Sequence, residues 1–462
     1  MEQDFLSFSA RRQVAMTRAG HVRVETLMEA VLDRVAATNP AINAVVSMRA
    51  ADALLEEARA VDKAGPKGAL AGLPTAIKDL HDARGMVNSQ GSPILASDVS
   101  DVDDPHVARM RAAGAMFIGK TNVPEFGLGS HSYNPVFGVT ANPYATDLSA
   151  GGSSGGAAAA LATGMMALAD GSDMMGSLRN PAGWCNVYGM RPSHGLVPGT
   201  AGGDLYLHKL STRGPMARDP EDLALFLGVM SGSLAFDDPK PRIDGLRIGW
   251  LADWGGALAM ETGILSLCED ALGAMDGQGA TVRAVPPPIT RDVLWEAWTT
   301  LRSCTIAAES RALYEDPATR AQLKPEAVWE IERGLSMSAM DVHAASDKRS
   351  DWYRAAMTLF ENFDLLALPS AQVWPFPKDW HWPDAIEGQV MDSYHRWMEG
   401  VIPASLLGLP AICVPAGFGD QGLPIGLQLI GPPGADRQVL EAALAYHRAT
   451  EWPQRRPAQP SA

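Results

Sequence analysis

The sequence has few cysteines, few basic residues and no long apolar run, and each shortage closes off a class of function. Only Cys185, Cys268, Cys304 and Cys413 occur in 462 residues, widely spaced and without a CxxC pair. That pattern excludes a disulfide framework or a cysteine zinc site and fits reduced, mostly buried thiols. Lys and Arg number 38 against 53 Asp and Glu, a formal charge of −15. A surface so poor in positive charge is a bad match for phosphate backbones, so nucleic acid is not expected as a ligand. No apolar stretch reaches the roughly 18 residues that a membrane span needs. The N-terminal MEQDFLSFSARRQ also lacks the apolar segment of a secretory signal, so a cytoplasmic location is expected. No metal-ligand cluster is visible, and neither a metal nor a cofactor is expected. What remains is ordinary: 46% hydrophobic and 20% charged residues, in a chain long enough to bury a large core.

Along the chain, Leu27, Val31, Leu32 and Val35 share one face of a helix expected over Val24–Ala37, ended by Asn39-Pro40. A second helix is expected over Ala50–Asp62, broken at Gly65-Pro66. Leu73–Ile77 reads as a short buried strand that delivers Lys78 and Asp79 at its end. Residues 105–113 read as a helix and 115–118 as an apolar strand. Gly114–Thr121 matches the phosphate-loop pattern G-x-x-x-x-G-K-[ST] by letter only. A working loop needs a strand before its first glycine and a helix after its lysine, but here a helix precedes Gly114 and Pro124 interrupts the residues after Lys120. Helical patches cover Asp292–Leu313 and Pro325–Leu335, and nothing between Asp238 and Asn362 carries recognisable chemistry. Residues 363–369, Ala411–Pro415 and Ile425–Ile430 read as strands, and Val401–Gly408 as a helix. Alternating strands and helices imply an α/β architecture.

The chemistry concentrates in Gly151–Pro192. Two glycine pairs flank Ser153 and Ser154, an Ala/Leu run comes next, and a second small-residue turn ends at Gly176-Ser177. Glycine-rich turns let backbone N–H groups converge on an anion, because no Cβ blocks the approach. Two such turns, each with a serine, have the makings of a nucleophile and an oxyanion hole. Gly151–Gly155 also satisfies G-x-S-x-G, the nucleophile elbow of α/β-hydrolases. That elbow should come after a buried hydrophobic strand, whereas Asn142–Ser149 reads as a polar loop. Asp384 and His395 would be the later partners of such an elbow.

Together, GLPTAIKD (Gly72–Asp79), GAMFIGKTNVPEF (Gly114–Phe126), Ala150–Gly195, RGPMARDPED (Arg213–Asp222) and Gly408–Pro432 resemble the amidase signature family of serine amidohydrolases. The resemblance is dense over residues 65–220 and 400–435 and thin over 240–365. It implies a large twisted mixed β-sheet flanked by helices. It implies one domain over residues 1–462, with a more variable, helical, substrate-side portion at about 238–400. It assigns Lys78 as base, Ser153 as bridging serine after a cis Gly152–Ser153 peptide, and Ser177 as nucleophile. Backbone N–H groups of Met174, Met175, Gly176 and Ser177 would hold the oxyanion, with Asp173 and Arg179 as buttresses. One departure stands out: Met174 and Met175 occupy positions where the family has Ser or Thr and Gly. Burial should depress the Lys78 pKa, since an ammonium cannot accept a proton.

The loop Phe126–Tyr133 aligns with residues lining the pocket in relatives, which nominates Gly127 and Leu128. Trp374–Trp397 carries four tryptophans (Trp374, Trp380, Trp382 and Trp397), Phe376, Tyr394 and interspersed prolines. Aromatics at that density commonly fill a core, but the prolines favour a stiff loop at the pocket mouth and nominate Trp382. The expected reaction is hydrolysis of an apolar or aryl-bearing amide through an acyl-Ser177 intermediate, with carbamate (urethanase) or ester hydrolysis as side activities. The expected partner is a small-molecule amide, with the chain a monomer or homodimer. The family also contains a glutaminase subunit of a tRNA-dependent amidotransferase, which is the alternative.

Overall fold

The computed structural model describes residues 4–199, 204, 206–207 and 209–458. Two sheets organise it. The smaller has three strands: β1 (Val45–Val46), β2 (Pro74–Lys78) and β3 (Met116–Thr121). Its order is β1-β3-β2, with β2 and β3 parallel. Every residue of β2 and β3 is buried, which explains why both read as near-continuous uncharged runs with a lysine at or near the end. The larger sheet contains β4 (Leu168–Asp173), β5 (Tyr188–Arg191), β6 (Thr212–Ala217), β7 (Arg247–Trp250), β8 (Thr281–Ala284), β9 (Leu365–Pro369), β10 (Ala411–Phe418) and β11 (Pro424–Ile430). Its order is β8-β7-β9-β11-β10-β5-β6-β4. β7 runs parallel to β8 and β9, and the remaining pairs are antiparallel. The result is the large mixed sheet flanked by helices that the sequence led us to expect.

The two sheets meet where chemistry was expected. Thr75 Oγ1 donates to Leu168 O at 2.8 Å, and the Lys78 N–H donates to Asp170 Oδ1 at 2.8 Å, so β2 lies against edge strand β4. The helix Gly155–Ala162, entirely buried, is wedged between the sheets. Only small residues permit this. A Cβ on Gly156 would lie 2.3 Å from Asn122 N and 2.6 Å from Ala44 O. A helical layer of Arg291–Glu315, Pro325–Leu335 and Ala339–Asn362 packs together on the other side of the site. Among the described residues, no helix is long and apolar enough to cross a membrane.

Several local expectations change. The first long helix runs through Pro40 to Ile42 and ends at Asn43, whose φ of 56° is left-handed. Proline removes one backbone donor but sits in the last turn, where the Asn43 N–H still reaches Asn39 O at 2.7 Å. Ala145–Ser149 is a strand and not a loop, paired only with Ala141–Asn142 and largely exposed at its centre. It therefore lacks the burial a nucleophile elbow requires. Lys120 lies inside fully buried β3, where a phosphate loop would need open backbone, and donates to His81 O at 2.6 Å.

The aromatic segment is mostly core. Trp397 stacks on Trp184 at 5.9 Å, and Phe376 meets both edge-on. Truncating a tryptophan so packed typically costs about 3–5 kcal/mol. All four cysteines are free, three of them buried.

Candidate active site

A cavity of about 660 Å³ opens between the sheet edge and the helical layer. Ser153, Ser172, Met174, Met175 and Ser177 line one side. That volume suits a small organic ligand.

Lys78 ends β2 fully buried. Its Nζ donates to Ser154 Oγ at 2.8 Å, Ser153 Oγ at 2.9 Å and Ser172 Oγ at 3.1 Å, and reaches Ser172 O at 3.4 Å. Among the described residues no carboxylate lies within ion-pair distance of this amine. Burial brings its pKa down to about 7, against the pull of Asp170 and Asp173, and the Arg213 charge pushes the same way as burial. The peptide between Gly152 and Ser153 is cis. The Ser154 N–H donates to Ser177 O at 3.3 Å, so the two serine turns are joined through backbone.

The turn bearing Ser177 wraps around one carboxylate. Asp173 accepts from Gly176 N at 3.0 Å and Leu178 N at 3.2 Å, and forms ion pairs with Arg179 at 3.0 Å and Arg191 at 3.2 Å. Burial raises a carboxyl's pKa, but these cations and N–H groups hold Asp173 well below the usual range. Arg179 also donates to Val401 O, Gln428 Oε1 and Ser405 Oγ, which ties the turn to distant chain. Asp173 and Arg179 therefore stand where the buttress role needs them.

The Gly176 N–H, expected in the oxyanion hole, is instead committed to Asp173. The N–H groups of Met174, Met175 and Ser177 have no acceptor among the described residues. Gly176 alone in this turn has a positive φ, 79°, and a Cβ there would lie 2.9 Å from Val401. Met174 and Met175 are therefore accommodated without glycine's conformational freedom. Met175 is buried, and Met174 Sδ faces Arg302 Nη1 at 3.1 Å.

Gly127 and Leu128 line the cavity, with Leu80, Phe126 and Gly129 beside them. Trp382 does not. It packs half-buried against a satellite apolar cluster of Leu128, Ile306, Leu323, Ala327 and Tyr394. None of Trp374–Trp397 lines the cavity, because the aromatics turn into the core and leave the wall to Met398 and the helices.

Those helices hold what sequence reasoning missed. Arg302, Thr305, Ile306, Leu313, Leu323 and Ala327 line the cavity from a stretch whose sequence carries no recognisable chemistry. Arg302 pairs with Glu330 at 2.6 Å and donates to Tyr394 Oη at 2.7 Å, and Tyr394 donates to Glu330 at 2.8 Å. The one available signal was an arginine on the inward stripe Trp298–Leu301–Thr305 of an otherwise apolar helix face.

A second group also escaped the sequence. His81, His106 and Asp170 bring their ligand atoms within 4.8 Å of one another, the spacing a metal ion would need. Here the donors are engaged with each other: His81 Nδ1 lies 2.6 Å and His106 Nε2 3.3 Å from Asp170 Oδ2. Burial drives the His81 pKa down to about 3, leaving a neutral ring. Asp384 and His395 are not partners. Asp384 is exposed, whereas His395 is buried against Tyr394 and Trp295.

Residues 26–440 match the family model described as Amidase. The chain is 34% identical to the glutamyl-tRNA(Gln) amidotransferase subunit named GatA-type by its role in that complex's glutamine site only in the sense of its printed description, from Symbiobacterium thermophilum, over 97% of this chain and 98% of that one. It is 31% identical to an acylamidase from Rhodococcus erythropolis, over 99% and 98%. The solved structure of a bacterial aryl acylamidase of the amidase signature family superimposes with a TM-score of 0.89 at 28% identity, covering 98% of this chain and 99% of that one.

Proposed function

The chain belongs to the amidase signature family, a C–N hydrolase family, and from that premise we propose that it is a serine amidohydrolase for apolar or aryl-bearing amides. The observation that carries this reading is the buried Lys78 amine, surrounded by serine hydroxyls and lacking an ion-pair partner among the described residues. A lysine so placed loses its proton near neutrality and becomes a base. Ser177 Oγ attacks the amide carbonyl carbon. Its proton passes to Ser153, whose own proton passes to Lys78. The N–H groups of Met174, Met175 and Ser177 receive the oxyanion; one such donor is worth about 3–4 kcal/mol. Collapse breaks the C–N bond and returns the proton to the leaving nitrogen. Water then enters by the same relay and releases the acid from Ser177.

Apolar lining from Leu80, Phe126, Leu128, Ile306 and Leu323 supports an apolar substrate, as does the likeness to two acylamidases. Burying such a group is worth about 25 cal/mol per Å². Carbamates and esters share the same carbonyl geometry and are expected as side activities. The likeness to an amidotransferase subunit supports a second reading, glutamine hydrolysis within a complex. The purified chain should be offered anilides, primary amides, carbamates, esters and glutamine, with Ser177→Ala as control. Release of amine from anilides, abolished in Ser177→Ala, is the expected result. Glutamine as best substrate would overturn the preference for apolar amides.

A further inference from the structure

We infer that Arg213 forms an anion subsite in the wall of this cavity, and that the amides this enzyme favours carry a carboxylate placed to meet it. The inference deepens the proposed function and rests on it. In the antiparallel pair β4–β6, Arg213 stands directly opposite Ser172. Opposed residues project from the same face of the sheet, and both line the cavity. Ser172 Oγ is a hydrogen-bond partner of Lys78, so Arg213 stands beside the reaction centre.

The other arginines that turn inward are all satisfied. Arg179 and Arg191 share Asp173, Arg302 has Glu330, and Arg218 donates to the carbonyls of Leu6, Phe8, Leu161 and Met166. Arg213 differs from each of them. Among the described residues no carboxylate lies within 4.0 Å of it, and its Nε is buried without an acceptor. A guanidinium withdrawn from water without a partner is costly, and its planar fork matches a carboxylate through two parallel hydrogen bonds. Gly199 leaves room for it, since a Cβ there would lie 2.8 Å from Arg213 Nη1.

The neighbouring acids do not fill the role. Glu309 lines the same cavity but lies beyond ion-pair distance, and Asp204 accepts from the N–H groups of Tyr206 and Leu207. A substrate carboxylate is therefore drawn to the Arg213 side of the cavity and kept away from the Glu309 side.

Two matched pairs test this: butyranilide against glutaranilate, with the charge on the acyl side, and butyryl-4-toluidide against butyryl-4-aminobenzoate, with the charge on the amine side. In at least one pair the carboxylate member should exceed its neutral partner in kcat/KM by about tenfold. That ratio should collapse to near one in Arg213→Gln and survive in part in Arg213→Lys. Taking the ratio cancels any effect of Arg213 on Lys78 common to both members. No carboxylate preference in either pair, or a preference unchanged in Arg213→Gln, would overturn the subsite. Calorimetric binding of the same four compounds to Ser177→Ala separates the two ideas. Carboxylate-selective binding without hydrolysis by the wild-type chain would remove the proposed reaction and leave the subsite standing. Hydrolysis without carboxylate selectivity would remove the subsite alone.

Discussion

The cavity has two walls of different origin. One comes from β2, β4 and the two glycine-serine turns, where Lys78, Ser153 and Ser177 are held by short-range hydrogen bonds and one buried carboxylate. The other comes from the helices Arg291–Glu315 and Pro325–Leu335, where Arg302, Ile306, Leu323 and Ala327 face inward because their helices pack amphipathically. The first wall tolerates almost no change, since an added Cβ at Gly151, Gly155, Gly171 or Gly176 meets atoms closer than 3.0 Å. The second is apolar surface that can be reshaped by side-chain volume. We conclude that reaction and selectivity are divided between the walls, and each experiment below probes that division.

The largest effect should come from Ser177→Ala or Lys78→Ala, each lowering kcat by about four to six orders of magnitude, with the double variant little worse. Ser153→Ala should cost several orders. Single-turnover assays on folded protein check this, and near-native turnover in Ser177→Ala would dissolve the division. Next is Asp173→Asn, which leaves Arg179 and Arg191 buried without their countercharge. Removing one partner of a buried pair costs about 3–5 kcal/mol, measurable by denaturant unfolding.

The pH profile ranks third. Lys78 acts as a base only when neutral and its pKa is brought down to about 7. kcat/KM should therefore fall about tenfold per pH unit below 7 and plateau above it. A profile that declines with rising pH would point to a different base.

The smallest effects belong to the helical wall. Ile306→Ala or Leu323→Ala should lower kcat/KM for anilides about five- to tenfold and leave acetamide nearly unchanged, each deletion forfeiting about 1–1.5 kcal/mol of substrate burial. Trp382→Ala should change the same ratio less, because Trp382 supports the wall from behind. Equal losses for large and small amides would place selectivity elsewhere.

Much of the first wall could be read in the sequence, because its determinants are local. A strand ending in Lys-Asp and two glycine-serine turns at set spacing name their own backbone geometry, and Lys78, Ser153 and Asp173 lie where those patterns led. Lys120 was likewise separable from a phosphate loop, since an apolar β-prone run cannot also be an open anion cradle. Beyond such patterns the sequence was silent or misleading. His81, His106 and Asp170 are dispersed over about 90 residues and meet only because β2 docks on β4. Arg302 looked like any helical arginine until Glu330 and Tyr394 closed around it. Trp382 was placed at the pocket by composition, yet packing decides which face of an aromatic segment turns inward. The Gly176 N–H was assigned by pattern, while the nearby Asp173 carboxylate claimed it. By itself the sequence determined the reaction chemistry, through residues whose roles depend on near neighbours. Tertiary structure alone decided the cavity's far wall and the unpaired Arg213, because burial and charge pairing between distant segments leave no periodic trace in the chain.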